Sequence, residues 1–359
     1  MTSPVVSVIM ATYNHAPYVA KAIASVLEQR GVDFEFLIAD DGSVDSTVQV
    51  VSAIRDTRIR FFPHRGNRGA GIVINELIAK ASGEFIALIN SDDCWSGSDK
   101  LAIQLNIMQG NPALGACFGR ARFVGKSGTA LSGRGLPFGT VFEQGNRSQG
   151  AWLRYFFESG NCICHPTMLI RSQCYRELGS YKNNLRQLPD FDMWIRLVKR
   201  YPIHITERVL VDFRVLPGEN ASSQTVANSV RVMNEHYLIA ESFFDDVSAQ
   251  QLKEGFSDLL RYPELPSEIH VDIEKVLLMF VPHKGLGRAY SMIGLLKLNR
   301  LLASTAHERV LAKDYGIDGR WFQERTAEIN VLRPRLLAML SQQKHKTTYL
   351  LKRILAFLN

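Results

Sequence analysis

The residue types best suited to chemistry in this chain are two adjacent carboxylates, Asp92 and Asp93, at the end of the apolar run 85–89. Two carboxylates at the exit of a buried strand repel each other and lose solvation unless a cation compensates them. A divalent ion that also bridges a diphosphate is the usual compensation. The pair therefore points to a metal–nucleotide site, while an Asp-Asp dipeptide on its own suits a solvated turn or helix cap equally well. Two further polar clusters follow apolar runs in the same way: Thr12-Tyr13-Asn14 after 5–10, and Asp40-Asp41-Gly42-Ser43 after 34–39. Ligands of open α/β sheets bind beyond the carboxyl ends of the strands, so the three clusters are expected to share one site. Neither G-x-G-x-x-G nor G-x-x-x-x-G-K-[ST] follows the first run, which argues against nicotinamide-type dinucleotide and P-loop binding. A nucleotide would be held here by side chains and carboxylates.

The elements that must position these residues show a βαβ rhythm. The runs 5–10, 34–39, 59–62 and 85–89 alternate with helical patterns, which implies a mainly parallel, doubly wound sheet. The first helix is expected to carry Pro17 in its first turn and Val19, Ile23, Val26 and Leu27 on one apolar face. From 114 to 215 short strands mix with glycine-rich connections at 125–139 and 145–150, a strand at 167–170 and a helix at 190–199. This half is the natural place for an acceptor. Beyond 217–220 the pattern is helical almost to the end, so a boundary is expected near residue 220.

The chain has 359 residues, 46% hydrophobic and 21% charged, enough to bury a large core. Its five cysteines (Cys94, Cys117, Cys162, Cys164, Cys174) are odd in number and lack C-x-x-C spacing. With no signal-peptide layout at the start, they predict a reducing, cytoplasmic setting. No window reaches the roughly 20 apolar residues of a spanning helix; the best, 276–302, is cut by Pro282, His283, Lys284, Arg288 and Lys297. The net charge of +7 belongs to the tail, since residues 283–359 hold 14 Lys and Arg against 5 Asp and Glu. A nucleic-acid groove would interleave basic and aromatic residues across the main fold, so no nucleic-acid partner is expected. The last stretch places Leu350, Leu351, Ile354, Leu355 and Leu358 on one helical face, opposite Lys352 and Arg353. Such a basic amphipathic helix can lie on the anionic inner face of a membrane, or pack on the domain or on a second subunit of a homo-oligomer.

Five blocks in order carry a family resemblance: Val6-Ser-Val-Ile-Met-Ala-Thr-Tyr-Asn14, Ile38-Ala-Asp-Asp-Gly-Ser-Val-Asp-Ser-Thr47, Asn67-Arg-Gly69, Ser82-Gly-Glu-Phe-Ile-Ala-Leu-Ile-Asn-Ser-Asp-Asp93 and Pro189-Asp-Phe-Asp-Met-Trp-Ile-Arg196. Together they resemble the family-two inverting glycosyltransferases of the GT-A fold, over residues 5 to 215. The resemblance implies a GT-A domain at 1–220, with a nucleotide-sugar half at 1–113 and an acceptor half at 114–220, and a helical C-terminal region at 221–359. It assigns Ala11, Thr12 and Tyr13 to the nucleotide and Asp40 to the uracil edge, with Asp41 shaping the turn and Asn67 and Gly69 in the donor site. Asp40 and Asp41 also suit a turn and helix start in their own right. It further assigns Asp92 to ribose or sugar, Asp93 to a metal ion, and Asp190 to the base that deprotonates the acceptor hydroxyl. Mg²⁺ and Mn²⁺ suit such oxygen ligands equally. Asp192 is the rival base, and Asp190 would also serve as a helix cap.

The chain departs from the family pattern in three places. Pro189 replaces the Glu that usually precedes the base, and Leu216 stands where relatives often carry a histidine. Ile72-Val-Ile-Asn75 replaces an Ala-Arg-Asn run, leaving Arg65 or Arg68 to contact phosphate. His165 could touch an acceptor hydroxyl or be a satisfied histidine, and Trp95 and Trp194 could stack on sugar or fill the core. The expected activity is inverting transfer from a nucleotide-sugar, a UDP-sugar first, to a carbohydrate or lipid-linked acceptor in cell-surface polysaccharide synthesis. The competing reading, motivated by Pro189 and Leu216, is a non-catalytic nucleotide-sugar-binding or scaffold subunit.

Overall fold

The computed structural model describes residues 4–131, 139–218, 225–282 and 287–329. The chain divides into two compact units, Met1–Asp258 and Leu259–Asn359.

The first unit opens with the alternation that the apolar runs predict: β1 (Val6–Thr12), α1 (Val19–Leu27), β2 (Phe34–Asp40), α2 (Thr47–Ala53), β3 (Ile59–Pro63), α3 (Ala70–Lys80) and β4 (Phe85–Leu88). These four strands are parallel, with β1 between β2 and β4. Every residue of β4 is buried and all but Ala11 of β1, since helices cover both faces and the apolar runs need no polar alternation. One helix start differs from expectation. Tyr18 and Val19 both donate to the His15 carbonyl, so Pro17 lies in a turn leading into α1 rather than in its first turn. The buried face is Val19, Ala22, Ile23 and Val26, with Leu27 only partly covered.

The chain continues through β5 (Cys94–Trp95), α4 (Lys100–Gly110), β6 (Ala116–Val124), α5 (Gln149–Ser159), β7 (Leu169–Arg171), α6 (Ser172–Leu178), α7 (Pro189–Arg200) and β8 (Ile203–Arg214). Among the described residues the sheet has eight strands in the order β3-β2-β1-β4-β7-β6-β8-β5. It is mixed: β7 runs antiparallel to both neighbours, β5 runs antiparallel to β8, and β6 and β8 are parallel. The expected strand at 167–170 begins two residues late, because a 3₁₀ turn, His165–Thr167, precedes β7. Pro166 has no amide to give a ladder, and the Thr167 hydroxyl closes the turn on the Cys164 carbonyl at 2.7 Å.

Two more helices, α8 (Val226–Glu241) and α9 (Ala249–Phe256), belong to this unit, which runs to Asp258. Glycines let α9 approach α5 closely: a Cβ on Gly150 would lie 2.6 Å from the Gln251 carbonyl oxygen. The second unit holds α10 (Glu268–Leu277), α11 (Gly287–Leu302), α12 (Thr305–Tyr315) and α13 (Gly319–Glu328) around Ile273, Leu298, Leu311 and Ile317. No helix among the described residues is long and apolar enough to cross a membrane. The amphipathic segment expected at 350–358 lies outside the described residues.

Candidate active site

The strand register brings the polar clusters to one edge. Thr12, the last residue of β1, stands beside Asp40, the last of β2, and β4 ends just before Asn90. Asp40 is fully buried and builds its own turn: Oδ1 accepts from the Gly42 and Ser43 amides at 3.1 and 2.8 Å, and Oδ2 from the Ser43 hydroxyl at 2.5 Å. Ser43 Oγ in turn accepts from the Asn14 amide at 2.8 Å, sewing the β1 loop to the β2 loop. Gly42 has φ +78°, and a Cβ there would lie 2.7 Å from the Asn67 nitrogen, so only glycine lets these loops touch. Asp41 completes the junction, its two oxygens accepting from the Arg68 and Gly69 amides at 2.7 and 2.9 Å. Those amides open α3, whose N-cap is Gly69 at φ 97°. Asn67 and Tyr13 are exposed at this edge and Ala11 is half-buried. Thr12 Oγ1 is buried with no hydrogen-bond partner among the described residues, an orphan group that a bound ligand would satisfy.

The Asp92-Asp93 segment is bound to the same edge through Ser91, whose Oγ lies 2.7 Å from His15 Nδ1. Asp93 is 1% exposed; Oδ1 accepts from the Arg214 amide at 2.7 Å and Oδ2 from the Asn90 amide group at 2.9 Å. Burial, and then the neighbouring Asp92 charge, push the Asp93 carboxyl well above the usual range. Arg214, at the end of β8, supplies part of the compensation from inside the protein. Its Nε donates to the Asp92 carbonyl at 2.7 Å and Nη1 to the carbonyls of Gly125 and Lys126, both at 2.9 Å. Among the described residues no three His, Cys, Asp or Glu gather to hold a metal unaided. The hard carboxylate oxygens fit Mg²⁺ or Mn²⁺ as ligands that diphosphate oxygens complete, since such ions commonly take one or two carboxylates plus substrate phosphates. Asp93 has one donor on each oxygen and keeps a lone pair on both.

Asp190 sits at the start of α7, behind Pro189, a residue suited to a first turn. Its Oδ1 accepts from the Phe191 amide and its Oδ2 from Asn161 Nδ2, both at 2.8 Å. Asn161 Oδ1 accepts from the Ile163 amide at 3.2 Å, which fixes the amide group with its nitrogen toward the carboxylate. Burial pushes the Asp190 carboxyl up to about 6 against these donors. Asp192 is differently placed: it is 4% exposed and paired with Lys182 Nζ at 2.7 Å and Arg196 Nε at 2.8 Å. Arg196 also donates to the carbonyls of Leu178, Gly179 and Ser180, so Asp192 anchors the segment before α7. Burial first, and then the charges of Asp93 and Asp190, push the Cys164 thiol well up.

The other residues singled out from sequence have structural settings. Burial lowers His165 to about 4, its Nε2 lies 2.8 Å from the Tyr181 hydroxyl, and its ring packs edge-on to Trp194 at 5.6 Å. Trp194 is wholly buried and Trp95 lies under Lys100 Nζ at 4.2 Å, so both tryptophans pack rather than offer a stacking surface. Arg68 pairs with Glu76, and Leu216 is buried. All five cysteines are free. Sequence reasoning passed over Asn161 and Glu235 and gave Arg214 no role, because each acts across the fold: Arg214 meets Asp93 over a separation of 121 residues.

A mixed α/β sheet with its carboxylates gathered at one edge in this way is that of a GT-A glycosyltransferase. Residues 7–177 match the family model of glycosyl transferase family 2, a domain that takes in Asp40, Asp41, Asp92 and Asp93 but stops short of Asp190. An uncharacterized glycosyltransferase of Methanocaldococcus jannaschii is 28% identical over 229 residues, covering 62% of this chain and 75% of the relative. A UDP-Glc:alpha-D-GlcNAc-diphosphoundecaprenol beta-1,3-glucosyltransferase of Escherichia coli is 37% identical over 111 residues, 31% of this chain and 44% of that one. Chondroitin synthase of Escherichia coli is 24% identical over 240 residues, 65% of this chain; the match spans 32% of the synthase. Among solved structures, S. aureus TarS 1-349 in complex with UDP-GlcNAc superposes with a TM-score of 0.52 at 19% identity, over 87% of this chain and 91% of that one, a likeness of fold.

Proposed function

We propose that this glycosyltransferase moves a sugar from a UDP-sugar to a carbohydrate or lipid-linked acceptor, with inversion at the anomeric carbon, in cell-surface polysaccharide synthesis. The domain that does so is residues 1–220, donor half 1–113 and acceptor half 114–220, with 221–359 as its helical extension. The observation that carries the reading is Asp190. Of the two carboxylates opening α7, it alone is not locked between cations, and burial holds it near 6, where it can accept a proton at neutral pH.

On the donor side, Ala11, Thr12 and Tyr13 line the nucleotide, Asp40 meets the base edge, and Asp41 holds Asn67 and Gly69 against it. Asp92 faces ribose or sugar, and Asp93 would hold Mg²⁺ or Mn²⁺. When bound, that ion neutralises charge on the departing nucleoside diphosphate. Asp190 takes the acceptor proton as the acceptor oxygen bonds to the anomeric carbon, and the glycosidic bond to the diphosphate breaks on the opposite face. Asn161 holds the Asp190 carboxylate in place. The UDP donor and the glycan pathway draw support from the relatives whose names state them.

UDP release across a panel of UDP-sugars with Mn²⁺ tests the assignment, followed by NMR of the product anomer. One donor should release UDP with an acceptor present, give the inverted anomer, and fall silent with chelator. A retained configuration, or turnover untouched by chelator, contradicts the reading.

A further inference from the structure

We infer that Glu235, on α8, is a positioning residue for the reaction: it holds the 186–188 turn so that Asp190 is presented to the site. This rests on the reading of Asp190 as the base. Glu235 is 4% exposed, and its carboxylate gathers three successive amides. Oε1 accepts from Arg186 at 2.9 Å, and Oε2 from Gln187 and Leu188, both at 2.8 Å. Leu188 is the N-cap of α7, and Pro189 and Asp190 follow at once. Three amides converging on one anion fix the path of the chain there, and a loop so held has few other conformations. These hydrogen bonds span 47 to 49 residues of the chain. A helix that follows the last strand of the sheet thus sets the geometry of a group in the acceptor half.

The same carboxylate also acts on the base through its charge, which adds to burial in raising Asp190. Other ionisable groups around Asp190 among the described residues include Cys164, Tyr181, Asp192 and His236. Cys164 and Tyr181 feel its charge, both thiol and phenol pushed well up by burial. Asp192 is neutralised by Lys182 and Arg196, and His236 packs on the adjacent Phe191 ring at 5.3 Å. Among these, Glu235 both touches the turn and adds to the raising of Asp190.

The test is Glu235→Gln in the full chain, with kcat, donor KM and the pH profile of kcat measured on UDP release. Positioning predicts a loss of roughly 10- to 100-fold in kcat at unchanged donor KM. The acid limb should also move to lower pH, because the Glu235 charge that adds to burial in raising Asp190 is gone. Glu235→Asp, which keeps the charge on a side chain one methylene shorter, should return the limb to its wild-type place and recover part of kcat. An unmoved limb in Glu235→Gln, a rise in donor KM that accounts for the loss, or a displaced limb in Glu235→Asp overturns the inference. Should Glu235→Gln fail to fold, the position of the limb in Glu235→Asp decides by itself. Asp190→Asn run alongside separates the two claims: turnover surviving there removes the base, whatever Glu235 does.

Discussion

Asp190 and Asp192 are two residues apart on one helix and have opposite chemistry because of what surrounds them. Burial raises Asp190 to about 6, so wild-type kcat should fall on the acid side with an apparent value near pH 6; a limb near pH 4 would mean another group carries it. The same shift bears on stability. A carboxyl raised in the folded state binds its proton more tightly there than in the unfolded chain, so its contribution is present below about pH 4 and is lost as pH rises through about 6. Asp190→Asn should therefore melt no lower than wild type at pH 7, whereas a drop in Tm would show the carboxylate to be a structural cap. Asp192→Asn should behave the opposite way. It removes two charge-assisted contacts and leaves Lys182 and Arg196 without their partner, a cost of about 2–3 kcal/mol in chemical denaturation. The enzyme should still turn over below its lowered melting point.

The junction of the β1, β2 and α3 loops is where sequence and structure agree most closely in kind and least in detail. Alternating runs and the polar residues after them were enough to read the strands, their parallel order and the shared edge, because hydrophobic period and strand ends are local properties. What was not legible is how that edge is held. Gly42 reads as a turn residue, yet its weight lies in contact with Gly66 and Asn67, which no spacing reveals. The grip of Arg214 on Asp93 comes from pairing of β5 with β8, across 121 residues of chain, which no local pattern reveals. The antiparallel β7 was missed as a break in the parallel order because three residues carry no direction. Gly42→Ala should cost about 1–3 kcal/mol through its positive φ, and more through the contact, while weakening donor affinity. Isothermal titration with UDP checks this; affinity equal to wild type would separate the loop junction from the donor site.

At the scale of the whole molecule, the described residues include one core around the sheet and another among α10 to α13. Leu311→Ala, at a wholly buried site of the second core, should cost about 2–5 kcal/mol in that unit and leave UDP affinity unchanged. A matching loss of UDP affinity would tie the second core to the donor site. The basic segment beyond Ser341 is proposed to hold the enzyme at an anionic bilayer. The full chain should float with phosphatidylserine vesicles and a chain ending at Ser341 should not; equal flotation removes the anchor. The central claim, that donor, carboxylate pair and base serve one transfer, is tested most directly by UDP release from the active donor in wild type and Asp190→Asn, with donor affinity measured on both. Donor affinity should be unchanged in Asp190→Asn and turnover should fall on the order of 10²–10⁴-fold; wild-type turnover in Asp190→Asn would show that another group is the base.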